Sequence, residues 1–230
     1  MTTTDTNADL VKDFLRRCQT QGLGRHPFFQ REDRHDLRLV WAFMKHDPFT
    51  PNEEAFMNAL MSNFDSGPIR RMLEAQFAAE LGAGEHDTSH HVLHDQLVEG
   101  LARWASEAAV AAMVGPTEQT AEGFGRLFGS ENGYEGLGAY LAGEVTFGTH
   151  LAPFVGRTMT AHEQELDART MAWVKEHDEV EDDHVQEALG CLDAVALSDA
   201  DVEALIRGGE GMLELLWGYV DALHAIDLEG

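Results

Sequence analysis

His177, Glu181 and His184 stand at i, i+4 and i+7 in the segment 171–184, which on an α-helix places all three on one face across two turns. Imidazole and carboxylate are donors for transition metals, so this face reads as a ladder of metal ligands. The helical period continues through Thr170, Val174, Ala188 and Leu192, a stripe that turns the donors toward a core. Burying them there is costly unless a metal or an opposite charge compensates. Three more donors fall on apolar stripes elsewhere: Glu80, His90 and Glu144. Any one of them alone reads as an ordinary hydrogen-bonded core residue, but their joint occurrence reads as a shared centre. Glu54 is a further candidate, because it shares a stripe with Met57 and Met61 while Glu53 is assigned to a capping box. Three imidazoles and four carboxylates would balance two divalent cations, and the mixed set suits iron or manganese better than structural zinc.

The elements that must position these residues all read as helices. The sequence predicts a first amphipathic helix over 8–19 and a second over 35–45, with loops at Pro27 and Pro48. Thr50-Pro51-Asn52-Glu53 has the form of a capped helix start and opens a helix to about Phe64. Gly67-Pro68 opens the helix that ends at Glu80 and Leu81, before Gly82 and Gly84. Thr88 or Ser89 caps the helix of His90, Leu93, Leu97, Leu101 and Trp104. A long helix over 134–154 carries Glu144, with Pro153 kinking its end, and Ser198 caps a last helical region interrupted at Gly208-Gly209 and ending near Ala225. No run of alternating or β-branched residues is long enough for a strand, so the expected class is all-α.

The 230 residues show no break in composition and are expected to form a single domain over 1–230. With 41 acidic against 16 basic residues, the net charge of −25 argues against nucleic acid or an anionic membrane as partner. Only Cys18 and Cys191 are present, without zinc-type spacing, which suits structural thiols in a reducing cytoplasm. The first residues lack the pattern of a signal peptide, and no apolar run approaches the length of a membrane span.

Taken together, the residues resemble the haem-oxygenase-like diiron oxidases, over about 54–188. Glu80-Leu-Gly82-Ala-Gly84, then His90 with Leu93, looks like that family's carboxylate, glycine loop and histidine; Glu144 resembles its mid-domain glutamate, and His177-x-x-x-Glu181-x-x-His184 its ligand helix. The resemblance implies a haem-oxygenase-like seven-helix bundle, here with an additional N-terminal helix. It implies two Fe(II) ions held by Glu54, Glu80, His90, Glu144, His177, Glu181 and His184, with O2 as co-substrate. The implied activity is oxidation of a small amine, amino acid or carboxylic acid, by N-oxygenation or oxidative C–C or C–N cleavage including nitrile formation, in natural-product metabolism. The implied partner is a small-molecule substrate, with a homodimer as a possible assembly. One departure stands out: the family usually has aspartate at the position of Glu181. Phe77, Trp104, Phe147 and Trp173 are candidate walls, and Arg103, Arg157 or Lys175 candidate partners of a substrate carboxylate. His86, His91 and His94 lie off the ligand stripe, and His150 is a candidate for lining the site.

Three other readings make different demands. A ferritin-like bundle needs two Glu-x-x-His pairs, of which only Glu181-x-x-His184 is present. A metal-free relative of thiamin-salvage type would use the inward residues on substrate, against which the excess of carboxylates argues. A non-catalytic acidic metal-binding helical protein would consume no O2.

Overall fold

A computed structural model of the chain describes residues 3–82 and 89–228, with the side chains of 3–6, 178–185 and 188 outside the description. Its α-helices are α1 (Thr3–Gln21), α2 (Leu37–Lys45), α3 (Glu53–Met61), α4 (Pro68–Glu80), α5 (His90–Gly100), α6 (Glu107–Phe128), α7 (Gly133–Thr146), α8 (Ala152–Ala161), α9 (Ala172–Cys191) and α10 (Asp199–His224). No strand occurs among the described residues, and no described helix is long and apolar enough to cross a membrane. The all-α expectation therefore stands.

The helix boundaries follow local chemistry. Asp36 accepts from the amide of Arg38 to start α2, Pro68 occupies the first turn of α4, and Ser198 with Asp201 forms a full capping box on α10. Gly82 adopts φ +82°, a left-handed conformation that side-chain-bearing residues avoid, and its amide closes onto the carbonyl of Ala79 at 2.8 Å. That turn ends α4 immediately after Glu80.

Packing centres on α10, which lies along α7 and α6, while α1 covers α7 and α10. Gly208 and Gly209 do not interrupt α10, which runs unbroken; they are where it meets its neighbours. A Cβ at Gly208 would lie 1.8 Å from the carbonyl oxygen of Glu135, and one at Gly138 of α7 would lie 1.9 Å from that of Leu205. Each glycine thus removes the atom that would hold the two backbones apart. The helix expected over 134–154 is also divided. It leaves α-geometry after Thr146, passes through a π-helical stretch, Phe147–Leu151, and resumes as α8 with Pro153 in its first turn, where the missing proline amide costs nothing. Helix α6, which the sequence pattern did not delimit, contains Pro116. On the other side, α9 packs against α4, α5, α7 and α8, and α3 packs against α4 and α6. Cys18 and Cys191 are both buried, and burial pushes their thiols up to about 11 and about 12, which disfavours the reactive thiolate.

Candidate metal centre

Glu53, Glu80 and His90 come from the start of α3, the end of α4 and the start of α5, and each offers a ligand atom within 4.8 Å of the others. The helix termini make this placement unfavourable in isolation. A carboxylate in the last turn of α4 opposes that helix's dipole, and an imidazolium in the first turn of α5 opposes the other. The two groups compensate each other, because His90 Nδ1 hydrogen-bonds the Glu80 carboxylate. Burial disfavours the charged imidazole, yet the charge and hydrogen bond of Glu80, aided by Glu53 and Asp47, push His90 up to about 10. Burial followed by repulsion from Glu80 raises Glu53 to about 7, against an opposing pull from His90.

Glu54, the residue expected on this stripe, is exposed, and Glu53, only 1% exposed, points inward in its place. The reason lies in the cap. Thr50–Asn52 form a 3-10 turn whose entry is held by Asp47, which accepts from the amides of Phe49 at 2.9 Å and Thr50 at 3.1 Å. With Asp47 in the capping role, no Thr50–Glu53 box forms and Glu53 is available to the interior.

Glu144 of α7 and His177 of α9 line the same cavity as Glu53, Glu80 and His90. The ring of His177 lies 4.9 Å from that of His90 and stacks on Trp173 at 3.6 Å and 23°. His177 Nδ1–H donates to the carbonyl of Trp173 at 2.8 Å, which puts the imidazole lone pair on Nε2. Helix α9 does extend through positions 181 and 184, but the side chains of Glu181 and His184 lie outside the described residues, as does His86.

The cavity is about 110 Å³, with Asp47 beside the donors and a wall rich in aromatic and aliphatic side chains. Of the expected wall residues, Phe147 and Trp173 line it, while Phe77 and Trp104 pack partly buried against the core. Arg103 is engaged by the carbonyl of Glu165 at 2.6 Å and lies over the Trp104 ring; neither it, Arg157 nor Lys175 lines the cavity. His91 Nδ1 approaches Glu53 Oε2 at 3.7 Å, and His94 Nε2–H donates to the carbonyl of Met44 at 2.8 Å, so both support the cluster from outside. His150 packs against Phe29 and Gly24 and is not among the described cavity residues. Sequence reasoning also passed over Tyr140, whose hydroxyl donates to Gln76 at 2.7 Å, and Tyr219, which bonds the carbonyls of Phe43 and His46.

Whether these residues suit a metal is decided by the orphan among them. Glu53 Oε2 is buried without a hydrogen-bond partner, an arrangement that a bound cation would satisfy. The carboxylate–imidazole donor set is of a kind that holds transition-metal ions.

No protein-family model and no curated protein sequence matches the chain. Among solved structures, the chain is similar to a CADD-like protein of unknown function from Nostoc punctiforme, with a TM-score of 0.70 and 16% identity, covering 96% of this chain and 99% of that one. At that identity the likeness speaks to fold. The chain shares the all-helical fold of that CADD-like protein.

Proposed function

We propose that the chain is a non-haem diiron oxidoreductase that uses O2 to oxidise a small amine, amino acid or carboxylic acid in cytoplasmic natural-product metabolism. The observation that carries the reading is the buried Glu53 oxygen that accepts no hydrogen bond, beside Glu80 and His90. One iron is assigned to Glu53, Glu80 and His90, and a second to Glu144 and His177 with Glu181 and His184 completing the set. When bound, the two ferrous ions would supply electrons for O2 reduction and open positions where O2 and substrate meet.

The chain's own residues prepare the site in three ways. Trp173 holds His177 twice, by its ring face and its carbonyl, so that Nε2 is presented in one tautomer and one orientation. In the metal-free protein His90 is held protonated beside Glu80, and it would have to release a proton before one of its ring nitrogens could bind a metal. The aromatic walls shield the buried Glu53 from water while Glu80 keeps partial exposure, which strengthens the charge interactions on the Glu53 side.

The test is anaerobic loading with Fe(II), followed by stoichiometry and absorbance on mixing with O2 in the presence of candidate amines and amino acids. Two irons per chain are expected in the wild type and in Glu54→Ala, with a loss of at least one in Glu53→Ala. Failure of the wild type to bind iron would sink the reading. Equal loss in both variants would remove the assignment of Glu53.

A further inference from the structure

The apolar part of the cavity lining offers no ligand to a metal. It is built by Phe43 of α2, Phe49, Phe124 and Phe128 of α6, and Met212 and Leu216 of α10. No lysine or arginine occurs among the described residues that line it, so an anionic group there would find no counter-charge except the metals. Trp173, also on the wall and 1% exposed, carries an indole N–H with no acceptor. A buried donor without a partner marks a place where a ligand's acceptor would be satisfied.

Size narrows the occupant further. An apolar cavity of about 150 Å³ accommodates benzene, and this one measures about 110 Å³ with the space beside the donors included, which bounds its occupant at about the size of a benzene ring. Interiors resist expansion because side chains are close-packed, so a bulkier group would have to displace the side chains that line the cavity.

We propose that this apolar part of the cavity is the substrate subsite and takes a compact apolar group no larger than about a benzene ring, such as a phenyl or short branched alkyl group. The substrate's polar end, carrying a hydrogen-bond acceptor, lies toward Trp173 and the metal donors. The assignment of the occupant as substrate rests on the diiron reading; the binding of a compact apolar group does not.

Met57 and Met212 both line the cavity, and their 13C-labelled methyl groups provide the readout. Benzene, naphthalene and sodium decanoate are titrated into full-length protein, chelator-treated and Fe(II)-loaded, with iron stoichiometry measured in the same samples. Benzene is expected to shift both methyl signals saturably, and the other two probes to leave them in place. Leu216→Trp fills the space and is expected to weaken benzene binding at least about tenfold. Should that variant fail to fold, Leu216→Ala decides, because it is expected to admit naphthalene with about tenfold tighter binding than the wild type. Iron uptake without a benzene response overturns the subsite and leaves the metal centre standing. A benzene response in protein that takes up no iron supports the subsite and removes the diiron reading. Decanoate shifting the methyl groups as strongly as benzene overturns the proposal.

Discussion

Replacing Glu53 by glutamine should make the metal-free protein more stable while abolishing its ability to hold a full metal complement. Burial and the neighbouring Glu80 raise the Glu53 carboxyl from 4.5 to about 7. A carboxyl raised in this way binds its proton more tightly in the folded than in the unfolded chain. Stability therefore declines as pH rises from the unfolded value near 4.5 through about 7, and the loss is complete above that. At about 1.4 kcal/mol for each pH unit between the two values, the cost at pH 8 is about 3 kcal/mol. Glutamine has nearly the same shape and no charge to desolvate, so Glu53→Gln should recover most of that energy at pH 8 and little at pH 4.5. The exposed Glu54 is the control, and Glu54→Gln should stay within about 0.5 kcal/mol at both pH values. Urea unfolding of chelator-treated protein at the two pH values measures all three curves. A Glu53→Gln variant that is destabilised at pH 8, or whose advantage does not depend on pH, would refute the electrostatic account of the cluster. With Fe(II) present the order should reverse, because ligand binding stabilises only the chain that still binds.

Other consequences are open to direct measurement. Gly208→Ala would set a Cβ 1.8 Å from the Glu135 carbonyl and must force α7 and α10 apart, so it should cost at least about 3 kcal/mol in urea unfolding. Gly218→Ala on the same helix meets nothing within 4 Å and should instead stabilise by about 0.5–1 kcal/mol. His26, His35, His46 and His150 are all held below the usual 6.5, in each case chiefly by burial. These imidazoles favour the neutral form in the fold, so their contribution to stability is present above pH 6.5 and lost as pH drops below it, opposite in sign to that of Glu53; in Glu53→Gln, where that carboxyl no longer titrates, the thermal midpoint should decline as pH falls from 6.5 to 5, and a level profile over that range would refute this. Trp173→Leu removes the ring on which His177 stacks, and competition with a chelator should show iron affinity about 10–100-fold weaker, with Trp173→Phe close to wild type.

Much of this arrangement was legible in the residue pattern, because the features that make a helix are local. The stripes, the Pro68 start, the Gly82 stop and the Ser198 cap act within a few residues of where they are written. Three readings failed where the deciding contact was distant or where two local signals competed. Thr50 and Glu53 have the form of a capping box, but Asp47 takes the Thr50 amide that the Glu53 side chain would need and leaves Glu53 to the interior, which moves the inward carboxylate by one position. Gly208-Gly209 reads as a break by composition, yet the reason for glycine is the Glu135 backbone of α7, over 70 residues earlier in the chain. The π-helical stretch after Thr146 has no signal in the 3.6-residue period, because its effect is to shift that period.

That shift bears on the site itself. Glu144 sits in the last turn of α7, on the helix that Gly138 and Gly208 lock against α10, whereas Phe147 lies just beyond it in the π-helical stretch. An uninterrupted α-helix would place positions 144, 147 and 151 on one stripe by period alone, with no freedom to set them independently. The wider turn lowers the rotation per residue between Glu144 and Leu151, and the structure has all three lining the cavity while His150 is turned away toward Gly24. The donor is thus carried by a backbone that is clamped, and the apolar wall next to it by a backbone that has been re-aimed. If the π-helical stretch serves this purpose, deleting one residue within it should restore α-geometry and rotate Leu151 out of the cavity. The benzene response of Met57 and Met212 would then change, while Glu144 stays where the α7–α10 contact holds it and iron stoichiometry is retained. Loss of iron in a folded deletion variant would show instead that the stretch positions the donor.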